Sequence, residues 1–429
     1  MTEFIEIIGG NRLAGSVRAS GAKNAVLPCI IASLLTPEKC TFKNVPALED
    51  VSVLIHLLQQ FGGEVSSLSD TLSVQVETLK ATEASYSLVK AMRASFWVLA
   101  PLLSRGGAAR VALPGGDIIG ARPVDLHLKA LTLMGADITV KHGLVLASAP
   151  SGLKAAEIAL PFPSVGATQQ VLMAAARTLG RTILKNAAKE PEVIALANML
   201  SKMGAKITGA GTPVIEIEGN ENLSGVEIEI IGDRIEAATY LLAGLATGGK
   251  VKVEGINPDY FGIFLDILRD MDAKVSTGQD WIEVANSGKI KAVSVRTEPF
   301  PGFATDLQAL IMAALGLAEG ESLIEETIFE GRFAHAAELK RMGADISLSG
   351  NIARIKGVKE YSGAPVEGND IRAAACLVIA ACAAKGVTKI YEPHHIRRGY
   401  SDLTTKLRNL GGNIGFKLVD EEDFLFAGC

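Results

Sequence analysis

Aromatic residues, cysteines and excess charge are all scarce in this sequence. Only 5% of its 429 residues are aromatic, and the formal net charge is −5. Because no basic tail or stripe is present, the charge argues against a general nucleic-acid-binding protein. The five cysteines show no metal-binding spacing, and two lie in the apolar run 373–384, where a free thiol behaves as a small hydrophobic group. We therefore predict free thiols, a reducing cytoplasm and no bound metal.

Long apolar runs are missing as well. Runs such as 373–384 fall well short of the ~18–20 residues that a membrane-spanning helix needs. The chain starts Met1-Thr2-Glu3-Phe4, without the basic segment and apolar stretch of a secretory signal. The composition, 48% apolar and 21% charged, is that of a soluble globular protein. No dinucleotide-binding glycine fingerprint is present, so we expect no cofactor, no membrane insertion and no nucleic-acid partner.

The sequence does contain a five-residue motif, here called the glycine motif, that occurs six times. Its second residue is glycine in five copies and aspartate in one, and the copies recur every 68 to 73 residues. An amphipathic segment precedes each copy and short alternating strands follow, so each copy marks the end of a surface helix. A period this regular indicates a repeat architecture. The copies lie at 61–65, 134–138, 203–207, 271–275, 342–346 and 410–414.

Each repeat also contains a helix that is apolar on nearly every face, as at 237–246 and 310–317. A helix of this kind has to be buried. Three repeats can wrap their sheets around three such inner helices, so the six repeats predict an α/β fold with two domains of three repeats each. The division falls near Ile231-Gly232, between the third and fourth repeats.

Charged and polar residues cluster where the buried helices begin. Asp233 with Glu236, and Thr305 with Gln308, fit the capping-box pattern. Four cations stand at the same phase of the repeat, and helix N-termini themselves attract anions. These cations are Lys23, Arg93, Arg234 and Arg372. We infer an anionic ligand between the two domains; the alternative is that each polar residue only caps its own helix.

One segment breaks the repeat pattern. Residues 113–123 are rich in glycine and proline and carry Asp117 and Arg122. This composition predicts a mobile surface loop, and a mobile loop beside a cleft is a candidate lid. The alternative is a turn with incidental charges.

Separated motifs follow one another along nearly the whole chain, at 20–25, 92–95, 113–116, 119–127, 164–168, 186–192, 233–236, 305–306, 329–330, 332–333 and 398–400. In this order, they resemble the motifs of the UDP-N-acetylglucosamine enolpyruvyl transferases. The resemblance implies an inside-out α/β barrel fold of two domains with the active site in the cleft. It places residues 1–21 and 232–429 in the first domain and 22–231, with the loop 113–123, in the second.

The resemblance also implies a reaction. In this family the enolpyruvyl group of phosphoenolpyruvate moves to the 3′-hydroxyl of UDP-N-acetylglucosamine, and phosphate is released by addition and elimination. This is the first committed step of peptidoglycan synthesis, on which cell shape and division depend. The reaction needs a proton donor, a base near the sugar hydroxyl and cations around phosphate and carboxylate.

Site roles follow from the same resemblance, residue by residue. Lys23, Asn24, Arg122 and Arg398 are expected at phosphoenolpyruvate, and Arg93 at the nucleotide sugar. Asp306, the expected base, and Ile328 are expected to contact the amino sugar, with Arg332, Asp370 and Arg372 in support. For Asp370 and Arg372, an ion pair within one helix is the alternative. The UDP side is expected to comprise Arg122, Pro123, Val124, Asp125, Leu126, Phe162, Pro163, Ser164 and Val165.

Three positions depart from the family pattern. Asp117 stands where the loop usually has cysteine, so we expect Asp117 to be the general acid and the protein to resist the epoxide fosfomycin, which alkylates that thiolate. Phe162 stands where a lysine near the UDP phosphates is common, which puts one phosphate contact in doubt. Arg397 replaces a common aspartate. Two other functions stay open: an enolpyruvyl transferase with another acceptor alcohol, and a non-catalytic nucleotide-sugar sensor.

Overall fold

The chain forms two compact units. The structure, a computed structural model, describes residues 2–115, 119–120, 123–286 and 288–419. The first unit comprises the chain up to Ser20 and from Gly232 onward, and the second runs from Gly21 to Ile231, except that Ile119 and Gly120 group with the first. The main boundaries between the units lie at 20/21, one residue before the expected 21/22, and at the expected 231/232. In this described part, no helix has the length and apolar character to cross a membrane.

The strands are short, as expected for repeats of this size. In chain order they are β1 (Thr2–Ile8), β2 (Ala14–Arg18), β3 (Cys40–Lys43), β4 (Glu64–Leu68), β5 (Thr71–Gln75), β6 (Ala108–Ala112), β7 (Asp137–Lys141), β8 (Leu144–Ser148), β9 (Glu157–Ala159), β10 (Arg181–Lys185), β11 (Lys206–Thr208), β12 (Val214–Glu218), β13 (Glu227–Glu229), β14 (Lys250–Glu254), β15 (Lys274–Thr277), β16 (Trp281–Ala285), β17 (Ser294–Arg296), β18 (Glu321–Glu325), β19 (Asp345–Ser349), β20 (Ile352–Lys356), β21 (Pro365–Glu367), β22 (Val387–Tyr391) and β23 (Asn413–Val419).

The helices alternate with these strands. They are α1 (Lys23–Ala32), α2 (Glu49–Gln60), α3 (Tyr86–Ala91), α4 (Leu99–Gly106), α5 (Asp125–Leu133), α6 (Val165–Ala176), α7 (Pro191–Lys202), α8 (Arg234–Ala246), α9 (Phe264–Asp270), α10 (Thr305–Leu315), α11 (His335–Arg341), α12 (Ile371–Ala383), α13 (His394–Gly399) and α14 (Leu403–Asn409), with 3₁₀ turns at Ser33–Leu35, Arg93–Val98 and Pro258–Phe261.

Within the described residues there are six sheets with a common strand pattern, which is complete in five of them, and this confirms the repeat architecture. In five of them a short edge strand pairs in parallel with a central strand, and two antiparallel strands follow, as in β17-β18-β20-β19. The sheet β6-β8-β7 lacks the edge strand, and a single parallel bridge between Glu83 and Arg110 takes its place. Two sheets of the first unit recruit strands from the start of the chain: β1 lies between β22 and β23, and β2 pairs with β14.

The helices predicted to be apolar on every face are buried, because the sheets enclose them. In α8 every residue from Arg234 to Leu245 is buried. The inner helices α8, α10 and α12 pack against one another within the first unit, and their side chains form much of its hydrophobic core. A second, separate core fills the other unit around α1, α4, α6 and α7. The predicted class, two α/β units of three repeats with buried helices, is confirmed.

The glycine motif ends the preceding helices, as predicted. Its second residue has a positive φ in all six copies, with φ 94° at Gly62, 93° at Gly343 and 68° at the one non-glycine, Asp272. After α11, the Gly343 N–H donates to the Lys340 carbonyl (2.9 Å) and the Ala344 N–H to the Leu339 carbonyl (3.0 Å). This pair of bonds is the Schellman cap, which satisfies carbonyls left without partners at the end of the helix.

Candidate active site

In the first unit, Asp306 is held between two arginines. It is the second residue of α10, and its Oδ1 lies 2.7 Å from Arg332 Nη2 while its Oδ2 lies 3.2 Å from Arg372 Nη2. The Asp306 side chain is 30% exposed, whereas the two arginine side chains are 3% and 7% exposed. The structure therefore brings three predicted site residues together, with the carboxylate in front of two buried cations.

These arginines determine the protonation of Asp306. Burial alone would raise the pKa of Asp306, but the charges of Arg372 and Arg332 hold it far below its usual range. Conversely, burial opposes the charge of Arg372, yet Asp306 raises the pKa of that guanidinium. The cluster is thus charged at neutral pH, and Asp306 accepts a proton readily only if an arginine turns to another anion.

The starts of the inner helices follow the capping predictions only in part. Asp233 accepts hydrogen bonds from the Ile235 and Glu236 N–H groups (2.8 and 3.0 Å) and caps α8. The Asp233 N–H donates to the Ser20 carbonyl (2.8 Å). The Glu236 carboxylate accepts from the Ser20 N–H (2.6 Å) and from Lys406 Nζ (2.7 Å).

The predicted box of Thr305 with Gln308 is wrong. Ala304 is the N-cap of α10, and the Thr305 hydroxyl instead donates to Glu326 (3.0 Å). At α12, Asp370 caps the helix through the Arg372 and Ala373 N–H groups (2.8 and 3.1 Å). The Arg372 side chain turns to Asp306, so the alternative ion pair within the helix is not formed.

In the second unit, Lys23 starts the buried helix α1. Its Nζ lies 2.7 Å from Oδ2 of Asp50, and the two side chains are 10% and 4% exposed. Asp50 belongs to the first turn of α2 and was not predicted as a site residue. The only signal was two consecutive acidic residues at a helix start, which normally just complement the helix dipole. Asn24 follows on α1 and is half-buried.

The residues expected on the UDP side also lie in the second unit. Arg93 starts the 3₁₀ turn before α4 and donates to the Pro123 carbonyl (3.2 Å). The side chain of Ser164 caps α6 by accepting from the Ala167 N–H (3.3 Å). Phe162 is 43% exposed, and its apolar ring carries no charge. Val124 is buried, Asp125 exposed, and Leu126, Pro163 and Val165 half-buried. Asp117 and Arg122 lie outside the described residues.

Two buried histidines, His127 near Arg93 and His335 near Arg332, were not among the predicted site residues. Burial and the charge of Arg93 lower the pKa of His127 to about 4. Its ring lies edge-on to Phe96, with centroids 5.6 Å apart. Burial, assisted by Arg332 and opposed by Asp370, lowers the pKa of His335 to about 4 as well. Both imidazoles are therefore neutral at pH 7.

Arg397 makes defined contacts within the first unit. Both of its Nη atoms donate to the carboxylate of Glu3, one of them at 2.7 Å, and its guanidinium lies 4.5 Å from the centroid of the Phe416 ring. Arg397 therefore joins α13 to the sheet built from β1 and β23. Its neighbour Arg398, half-buried on the same helix, is the residue expected at phosphoenolpyruvate. Ile328 is half-buried in the loop that follows β18.

Comparison with known proteins gives consistent matches over nearly the whole chain. The family described as EPSP synthase (3-phosphoshikimate 1-carboxyvinyltransferase) matches residues 7–407. A protein of Trichlorobacter lovleyi named UDP-N-acetylglucosamine 1-carboxyvinyltransferase is 46% identical over 408 residues, which cover 95% of this chain and 97% of that relative. A protein of the same name from Psychrobacter sp. is 48% identical over 416 residues, 96% of each chain.

Solved structures agree on the fold. The enolpyruvyl transferase NikO from Streptomyces tendae superimposes with a TM-score of 0.88 at 26% identity, over 98% of this chain and 100% of that one. EPSP synthase from Acinetobacter baumannii superimposes with a TM-score of 0.75 at 18% identity, over 97% and 100% of the two chains.

Proposed function

Because this chain belongs to the UDP-N-acetylglucosamine 1-carboxyvinyltransferase family, we propose that it transfers the enolpyruvyl group of phosphoenolpyruvate to the 3′-hydroxyl of UDP-N-acetylglucosamine. Phosphate is the second product. The observation that carries the proposal is Asp306, a carboxylate held by buried Arg332 and Arg372 at the start of an inner helix. We place the reaction in cytoplasmic peptidoglycan synthesis.

The reaction requires three proton movements around one new bond. In the addition step, a general acid protonates the methylene carbon of phosphoenolpyruvate, and the sugar oxygen bonds to the adjacent carbon while a base removes the hydroxyl proton. In the elimination step, the methyl group returns a proton and the bond to phosphate breaks. We assign the acid to Asp117 and the base to Asp306.

Asp306 can act as the base only if its ion pairs weaken when substrates bind. The two arginines that lower its pKa are also suitable partners for a carboxylate or phosphate. Under the proposal, an anionic substrate draws one guanidinium away, the pKa of Asp306 rises, and the carboxylate becomes a proton acceptor. The same movement would supply positive charge where charge develops on the leaving phosphate.

The remaining assignments distribute the substrates among the other predicted residues. Lys23, Asn24, Arg122 and Arg398 would bind phosphoenolpyruvate, with Asp50 holding the Lys23 ammonium. Arg93, Pro123, Val124, Asp125, Leu126, Phe162, Pro163, Ser164 and Val165 would line the UDP side with Arg122. Ile328 would contact the amino sugar, and Asp370 would support Arg372 by fixing the start of α12.

The Asp117 assignment carries a chemical consequence. An ordinary aspartate has a pKa of about 3.9 against about 8.5 for cysteine, so a carboxyl in this role must be protonated by its surroundings or by the bound anions. A carboxylate is also a far poorer nucleophile toward an epoxide than a thiolate. Burial raises the pKa of Cys29 and Cys382 to about 12 and that of Cys40 to about 11. None of these three thiols offers an alternative thiolate.

The deciding experiment measures phosphate release from phosphoenolpyruvate with and without UDP-N-acetylglucosamine. Sugar-dependent release supports the proposal, whereas release that needs a different alcohol indicates another acceptor. Sugar binding without release indicates a sensor. Asp306→Asn should then reduce turnover ~100-fold or more, as loss of a general base does. Asp266→Asn, which alters an exposed aspartate paired with Arg269, is the matched control and should leave turnover unchanged.

A further inference from the structure

Glu326 is a buried carboxylate that no predicted role accounts for. It follows β18 directly, is 3% exposed, and accepts four hydrogen bonds. Oε1 accepts from the Ile328 and Phe329 N–H groups (2.8 and 3.1 Å) and from the Thr297 hydroxyl (3.0 Å). Oε2 accepts from the Thr305 hydroxyl (3.0 Å). A carboxylate this deeply buried is tolerated because its oxygens are fully hydrogen-bonded.

The same position is filled differently in the other repeats. The residue directly after the central strand has a positive φ in four of them, with values of 57°, 55°, 76° and 59°. These residues are Asn44, Asn186, Gly255 and Glu392. Glu326 in the fifth repeat and Leu113 in the second do not have a positive φ. The two repeats that break the pattern are those whose following loops carry Ile328 and Asp117.

The departure at Glu326 is a shift of one residue. In the first repeat the Asn44 amide donates to the carbonyl of Ile230, the residue after the parallel edge strand β13 (2.8 Å), and Asn186 does the same with Leu160 after β9 (2.9 Å). In the fifth repeat the matching carbonyl, that of Thr297 after β17, accepts from Thr327 instead (2.5 Å). In the fifth repeat, the side chain that bonds to this carbonyl therefore comes one residue later, and the Glu326 side chain does not make this bond.

The Glu326 carboxylate instead joins two segments that carry residues of the proposed site. One is the loop that holds Ile328, expected at the amino sugar. The other is the first turn of α10, where Thr305 directly precedes Asp306. We infer that Glu326 is a positioning residue, which sets Ile328 and the base Asp306 in fixed relation to each other. This inference rests on the proposed function for the roles of Ile328 and Asp306.

The repeat itself does not require a buried carboxylate here, since in repeats one and three the residue at this position is an asparagine whose amide bonds to the edge-strand carbonyl. Glu326→Ala removes all four hydrogen bonds, whereas Glu326→Gln keeps an oxygen for the loop N–H groups. Thr305→Val removes only the bond to α10. The matched control is Glu338→Gln, because Glu338 is also a buried carboxylate that accepts from a backbone N–H, that of Glu367 (3.0 Å).

The test is steady-state kinetics on the full chain, normalised to folded protein by circular dichroism, with hydrogen exchange of the peptide covering 326–333. We expect Glu326→Ala to lower kcat ~100-fold, as a displacement of about 1 Å can. Glu326→Gln should recover most of that loss. Thr305→Val should lower kcat without changing KM for phosphoenolpyruvate. Exchange at 328–329 should accelerate in Glu326→Ala and stay unchanged in Glu338→Gln.

Two outcomes would overturn the inference. One is a Glu326→Ala enzyme with normal kcat per folded molecule, and the other is a Glu326→Gln enzyme as impaired as Glu326→Ala while its exchange stays normal. A wild-type chain without sugar-dependent phosphate release would refute the proposed function instead. In that case the exchange experiment still decides whether Glu326 orders the loop.

Discussion

The glycine motif allows the same residue change to be compared at one glycine with a positive φ and at another without one. Gly343 follows α11 with a φ of 93°, and a Cβ added there would meet nothing within 4 Å. Gly415 lies in β23 without a positive φ, and a Cβ added there also meets nothing within 4 Å. Both glycines belong to the first unit. Replacement by alanine at these two sites thus separates backbone conformation from steric contact.

The two replacements should change the free energy of unfolding in opposite directions. At Gly343 an L-residue in the left-handed region costs roughly 1–2 kcal/mol. Because alanine lowers the conformational entropy of the unfolded chain, the replacement also stabilises the folded state by about 0.4–1 kcal/mol. We therefore expect Gly343→Ala to lower the free energy of unfolding by about 0.5–1 kcal/mol. At Gly415 only the entropy and strand-propensity terms act, so Gly415→Ala should raise the free energy of unfolding by about 0.5 kcal/mol.

Urea unfolding at 25 °C, followed by far-UV circular dichroism, measures both changes, and thermal midpoints should move by about 2–4 °C per kcal/mol for a unit of this size. The reasoning fails if Gly343→Ala is as stable as the wild type while Gly415→Ala behaves as expected. It also fails if both variants lose stability equally, because loss would then follow from adding a methyl group and not from φ.

Three further predictions concern the site. Asp50→Asn removes the charge beside buried Lys23 and should raise KM for phosphoenolpyruvate about tenfold while leaving the Kd for UDP-N-acetylglucosamine unchanged; equal effects on both substrates would contradict the assignment. The arginines depress the pKa of Asp306, so its stabilisation is complete above the unfolded value of about 3.9 and is lost as the pH falls further. The urea midpoint of the wild type should therefore drop more steeply below pH 4 than that of Asp306→Asn, and parallel curves would count against the ion pairs. Fosfomycin should cause no time-dependent inactivation or mass shift of the wild type, whereas Asp117→Cys should acquire both, and rapid alkylation of the wild type would refute the argument.

Much of the fold could be predicted because its signals are local. A glycine at the end of an amphipathic segment specifies a left-handed cap within a few residues, and six copies of it define six repeats. The φ of 68° at Asp272 shows that the cap persists even where glycine is absent. Burial of the inner helices likewise follows from composition alone.

The site was less predictable because its contacts join distant parts of the chain. Arg372 reaches Asp306 across 66 residues, and Thr305 reaches Glu326 across 21. The Thr305 hydroxyl had two possible partners, its own helix and Glu326, and a local pattern favours the first. Asp50 lies 27 residues from Lys23, a separation at which sequence spacing carries no information about contact. The motifs identified the residues of the proposed site, while their partners had to come from the structure.

The placement of β1 between β22 and β23 has a consequence for synthesis on the ribosome. The second unit, from Gly21 to Ile231, can complete its sheets as soon as it has emerged. The strand Thr2–Ile8 is made long before its partners, which begin only at Val387. At about 5–20 residues per second, it waits on the order of 20–80 s with Phe4, Ile5 and Ile7 unpaired. This strand is thus synthesised early but paired late, and during that interval its unpaired edges need protection from aggregation.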